Sequence, residues 1–214
     1  MHGKRPLGEN LIRRLANELG LSPLECEHFI SKQDPINSIS PSEKYLQLTM
    51  DNFRLKSDWY HYAILELMEL KNFKSDCKWV ARRLGMPVAE VQEALERLVR
   101  LGLVEIDNQG LWKDSSGGQT TTVTGNFTNS ALKKLQKEFL QKAVEAIDNI
   151  EINYRDQSSV TFSANKKKIT EAKEVVKDFR RKLATLMTSV DEKDEVYNLT
   201  ISLFPLTQLE GENK

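Results

Sequence analysis

The sequence is poor in residues that do chemistry. Its two cysteines, Cys26 and Cys77, stand apart with no CxxC spacing. Two buried thiols in a reducing compartment fit that pattern better than a disulfide. The three histidines, His2, His28 and His61, lie in different segments, and none has a second ligand at metal spacing. No metal and no cofactor is expected. GxSxG, Walker-type and dinucleotide glycine patterns are missing, and Gly117-Gly118 lacks the Lys and helix start of a phosphate loop. No cysteine pairs with a histidine, and the many carboxylates fall on amphipathic faces as surface charge. With no catalytic constellation, the expectation is that the chain is not an enzyme.

Long apolar runs are missing too. The longest falls well short of the ~20 residues that cross a bilayer, and MHGKRPLGEN has no apolar signal core. No membrane association is expected, and the cytoplasm is the expected location. Nor is there an excess of one charge: 31 basic residues balance 31 acidic ones. That excludes a globally basic, nonspecific nucleic-acid binder and leaves room only for a local patch. A chain of 214 residues is long enough for one large or two small domains with a real core.

What is present is clearest from Ser75 to Lys113. Trp79, Val80 and Leu84 are the apolar set of a short helix, with Ser75 placed to cap it. Gly85 suits the position after a helix end and Pro87 the first position of the next. In that next helix Val88, Val91, Leu95, Leu98 and Val99 share a face, and Gly102 stops it. Val104, Ile106 and Leu111 then flank the turn Asp107-Asn108-Gln109-Gly110. Upstream, Ser57 or Asp58 caps a helix carrying Trp59, Tyr60, Ala63, Ile64, Leu67, Met68 and Leu70. Helix, helix, tight turn, helix and hairpin is the winged helix-turn-helix order. A plain helical hairpin is the simpler alternative.

Around this centre the pattern is looser. Leu11, Ile12, Leu15, Ala16 and Leu19 predict one helix, and Ser22-Pro23 with Glu25 opens a second. Lys4, Arg5, Arg13 and Arg14 cluster there among acidic residues, as a solvated face does. Residues 38–56 hold Ser and Pro and few apolar residues, so they read as a linker with one loose helical turn near Glu43 to Leu48. Thr120 to Thr124 is β-branched and reads as extended. Ala131, Leu132, Leu135, Phe139, Leu140, Ala143, Val144 and Ile147 form the stripe of a long helix starting at Thr128 or Asn129. Residues 155–163 and 197–203 alternate as strands. Between them Asn165 caps a helix of residues 166–189. Strand, helix and strand predicts a parallel βαβ unit.

For DNA, the second helix of the central pair would enter the major groove. Its outer face holds Glu90, Gln92, Glu93, Glu96, Arg97 and Arg100. The first half is acidic, which opposes the phosphate-dependent part of affinity. Arg82, Arg83, Arg97, Arg100 and Lys113 are placed to grip the backbone from the flanks, and Gln92 on the exposed face completes the candidate DNA-binding set. The competing reading is a protein-binding or dimer-forming module that keeps the shape without the groove contact. A third is a small-molecule sensor in the C-terminal module.

Three stretches carry a family likeness: GKRPLGENLIRRLANELGL near the start, WVARRLG and ALERLVRLGLVE in the middle, and YNLTISLFPLT at the end. Through them the chain resembles a bacterial family known by a domain of unknown function and described as transcriptional regulators. The resemblance implies that the first stretch is the tail of a λ-repressor-like helix-turn-helix whose DNA-reading helices come before it. The chain starts at the Gly-Lys-Arg that follows those helices, so weak DNA binding by this chain alone is the expectation.

The expected architecture is α+β, mainly α. It comprises an N-terminal helical pair, an incomplete helix-turn-helix-like segment, at 1–37; a linker at 38–56; a winged helix at 57–126; a C-terminal helix-plus-βαβ module at 127–208; and a tail at 209–214. The expected partners are duplex DNA and a second copy of the chain. A two-stranded sheet is rarely stable alone, and the Tyr197–Leu203 strand has no Lys or Pro guard, so a homodimer through residues 129–206 is expected; the alternative is a monomer whose N-terminal helices cover the same surfaces.

Overall fold

Asp76 begins the most regular part of the chain. Its backbone is extended, and its carboxylate accepts hydrogen bonds from the Lys78 and Trp79 amides at 3.1 and 3.2 Å. In the computed structural model, which describes residues 41–117 and 130–208, the elements are mainly helical. They are α1 (Pro41–Ser57), α2 (Tyr60–Met68), α3 (Cys77–Leu84), α4 (Val88–Arg100), α5 (Ser130–Asn149) and α6 (Ile169–Thr188), with strands β1 (Val104–Ile106) and β2 (Trp112–Asp114). The expected N-terminal helices and the extended segment Thr120 to Thr124 lie outside the described residues. The chain falls into two units, Met1–Phe139 and Leu140–Lys214.

In the first unit α2, α3, α4 and the β1–β2 hairpin follow in the predicted order. Gly85 ends α3 at φ 65°, a left-handed conformation that costs a side-chain-bearing residue about 1 kcal/mol or more. The hairpin is antiparallel, pairing Val104 with Asp114, Glu105 with Lys113 and Ile106 with Trp112. Asp107 closes its turn by accepting from the Gln109 and Leu111 amides, both at 2.9 Å. Ile64, Leu65, Leu67, Trp79, Val80, Val91, Leu95, Leu98 and Val104 are buried together with Ala131 and Leu135 from the start of α5. Phe73 packs edge-on against Trp79 and tilted against Trp112, and Ser75 Oγ accepts from the Trp112 amide at 2.9 Å. The hairpin is thereby tied to the start of α3.

Several details differ from the sequence reading. Asp76, not Ser75, caps α3, because Ser75 is spent on the hairpin. Pro87 is the N-cap of α4 rather than its first residue. Val88 and Val99 end the α4 stripe exposed, since they flank its buried centre. Most of the stretch 38–56, read as a linker with one loose helical turn, lies in helix α1 (Pro41–Ser57). That helix has no clean apolar stripe; it is held by buried polar side chains, chiefly Asp51, which single-sequence periodicity does not register.

In the second unit Asn165 caps the helical turn Lys166–Lys168 by accepting from the Lys167 amide at 3.0 Å, and α6 follows. The Arg155 guanidinium donates to the carbonyls of Ile150 and Ile147 at 2.8 and 3.2 Å, closing the end of α5. The βαβ unit is not formed. Residues 155–163 and 197–203 make no bridge to any strand, and the only sheet among the described residues is the hairpin. Alternation supplies the two faces of a strand, but a strand also needs a neighbour for its amides. None of the described residues from Leu140 onward is buried, and α6 has no buried residue at all.

Candidate nucleic-acid interface

Helices α3 and α4 with the hairpin form the surface on which the predicted contacts lie. Glu90, Gln92, Glu93 and Glu96 are exposed along α4, so the acidic outer face stands as the periodicity implies. Arg82 and Arg83 are exposed in the last turn of α3, where positive charge suits the helix end. The Arg83 guanidinium lies 5.6 Å from the Trp79 ring centre. Lys113 is exposed on β2, across from Glu105.

Arg97 and Arg100 are placed differently from the sequence expectation. Both turn toward α1 and meet the buried carboxylate of Asp51. Arg97 Nε donates at 3.3 Å, and Arg100 donates through Nε at 2.8 Å and Nη2 at 3.0 Å. The Arg97 side chain is only 11% exposed, while Arg100 keeps 38%. Burial opposes ionisation of Asp51, but Arg100, Gln47 and Arg97 outweigh it and hold its carboxyl below the ordinary aspartate value. Burial therefore does not neutralise the acid, and the pair is ionic.

Arg97 has a second partner. Its Nη1 lies 2.9 Å from Nε2 of the fully buried His61, whose Nδ1 is 3.2 Å from the Asp58 carbonyl. A guanidinium can only donate, so Nε2 accepts and Nδ1 carries the proton. Burial and then the Arg97 charge push the imidazole down to about 4. His61 is a neutral link between α2 and α4.

Asp58 anchors a second cluster. It accepts from Ser57 Oγ at 2.6 Å and from the Tyr60 hydroxyl at 3.0 Å, and it also pairs with Lys134 of α5. Burial raises its carboxyl, yet the bonds from Lys134, Ser57 and Tyr60 bring it below the usual range. Burial and the adjacent Asp58 push the Tyr60 phenol up to about 12. Glu138 of α5 accepts from the Trp59 amide at 3.1 Å, serving the open start of α2. Sequence reading found none of these roles for Asp51, Asp58 and His61. Asp51 and Arg97 are 46 residues apart, and a single sequence has no periodic signal at that separation.

A shallow groove runs between α4 and β1, lined by Leu95, Glu96, Val99, Arg100 and Ile106. No group of three or more His, Cys, Asp or Glu side chains among the described residues is arranged to hold a metal. None of the described helices is long and apolar enough to cross a membrane. No curated protein and no solved structure matches the chain. Residues 40–206, a span that takes in the α3, α4 and C-terminal motifs, match the family described as Domain of unknown function (DUF4423), and the chain belongs to that family.

Proposed function

We propose that the chain is a cytoplasmic transcriptional regulator in which α2, α3, α4 and the β1–β2 hairpin act as a winged helix that approaches duplex DNA weakly. The observation that carries this reading is the order and joining of those elements. A tight left-handed turn at Gly85 separates α3 from α4, and a hairpin follows α4 directly. In such modules the second helix enters the major groove and the flanking parts hold phosphates. Arg82, Arg83 and Lys113 are the cations offered to the backbone, and Gln92 is the side chain offered to a base edge. Arg97 is withdrawn, and Arg100 is partly withdrawn, because Asp51 holds both. The carboxylates of Glu90, Glu93 and Glu96 lower affinity further by facing phosphates.

Fluorescence anisotropy with a labelled duplex tests this. Binding should be weak, fall steeply with salt and differ little between sequences. The double variant Glu90→Gln, Glu93→Gln should bind more tightly at low salt. Binding that is insensitive to salt, or unchanged in the double variant, would remove α4 from the interface.

A second reading rests on the exposed Val88, Val99, Ile106 and Leu111 and the apolar groove beside them. On that reading the same surface docks a protein rather than DNA. Substituting Val99→Asp would then abolish partner capture while leaving the salt-dependent DNA signal in place.

A further inference from the structure

We infer that residues 140–208 form a homodimer in which the segments 155–163 and 197–203 of one copy pair as strands with those of the second. This goes beyond the regulatory reading and does not depend on it.

Three observations carry the inference. First, this unit has no interior of its own: none of its described residues is buried. Twenty large apolar side chains from Leu140 to Leu206 are between 38% and 77% exposed. That number suits one side of a standard stable interface, which takes roughly 20–30 residues per partner. Monomeric surfaces rarely leave large apolar patches uncovered.

Second, the bare backbone asks for a strand. The Thr200 hydroxyl donates to Asn198 Oδ1 at 2.7 Å, which sets these two side chains on the same side, as a two-residue period requires. Tyr197, Leu199, Ile201 and Leu203 are then left to the other side. Arg155 and Asn165, which bracket the other segment, both have β-region dihedrals. Neither segment is bridged to any strand among the described residues. The pattern of a half-covered sheet is present, and no described residue supplies its hydrogen-bond partner.

Third, the occupant must be able to supply strands. A second copy offers two strands of the same alternation and an α6 whose apolar side is equally bare. Four strands exceed the three or so that an independent sheet needs. Across a twofold axis a strand meets its own copy antiparallel, so the surface is self-complementary without further design. Residues 197–203 contain no Lys or Pro to forbid that approach.

The test uses the full chain. Sedimentation equilibrium from about 1 to 100 μM, spanning the range of ordinary specific association, should give the mass of a dimer. Hydrogen-exchange mass spectrometry on the same samples should show the amides of 155–163 and 197–203 protected. Ile201→Asp would place a charge in the joined sheet and should weaken association about 100-fold or more. Trp59, Trp79 and Trp112 all lie in the first unit, so an unchanged tryptophan emission shows that this unit still folds in the variant. A monomer across the whole range overturns the inference, even with protected amides, because the chain would then be covering itself. A dimer whose two segments exchange like free peptide overturns it as well.

Discussion

Helix α5 runs from one kind of protein into another. Near its start Ala131 and Leu135 are buried, and further along Leu140, Val144 and Ile147 of the same amphipathic pattern are exposed. The first unit packs its stripes against one another and satisfies its buried charges in pairs. The second has equally good stripes, and none of its described residues is buried. The difference lies in topology rather than composition. In residues 60–114 successive elements return on each other within short turns, whereas α6 is reached and left through segments with no strand neighbour. An amphipathic pattern states that a face will be covered, and it says nothing about by whom.

Breaking the interior of the first unit sharpens the contrast most. Leu98 is fully buried, so Leu98→Ala should cost about 3–5 kcal/mol in a urea melt followed by tryptophan emission. The same truncation at Leu199 should leave that transition within about 0.5 kcal/mol, as exposed positions do, and register instead as weaker self-association. A large loss at Leu199 in the tryptophan signal would erase the distinction between the units.

The polar side of the first unit comes next. Asp51→Ala leaves two guanidiniums facing each other, and removing one partner of a buried pair costs about 3 kcal/mol, toward the lower end because Arg100 can turn to water. The readout is the same melt. A shift no larger than that of a surface substitution would mean that α1 is held by something other than Asp51.

The smallest effect is that of pH. His61 is held down to about 4 from an ordinary value of 6.5. Across that interval the unfolded chain binds the proton and the folded chain does not, so stability must fall as pH falls. The loss should amount to roughly 2–3 kcal/mol from pH 6.5 to 4. Asp51 and Asp58, whose carboxyls are lowered, keep their contribution above their unfolded value of 3.8 and lose it only below that. Melts of the wild type should therefore decline before Asp51 and Asp58 lose their contribution. His61→Gln should lack that upper limb, and a variant that retains it would assign the proton elsewhere.

Much of the first unit was legible because its signals are local. Gly85 and Pro87 mark a break, the Val91–Leu95–Leu98 spacing marks a face, and Asp107 with Gly110 marks a turn. Each is a property of a few consecutive residues. What escaped depended on distance along the chain. Residues 38–56 looked like a linker because Asp51 meets its arginines only after folding. Arg97 and Arg100 looked like phosphate grips because their positions on α4 permit it, and only the arrival of α1 turns them inward. Residues 155–163 and 197–203 show the opposite failure, since the local pattern of a strand is present while the pairing that defines one is not.

The arrangement around His61 has a chemical consequence. Its Nε2 lone pair is occupied by Arg97, and the ring is sealed from water. Acylating reagents that seek an imidazole lone pair will find none there while the first unit is closed. Each reaction at His61 must wait for α2 and α4 to separate, so the rate of its modification counts openings of that contact. The residue is a built-in clock for breathing of the helical core, readable by mass without a label.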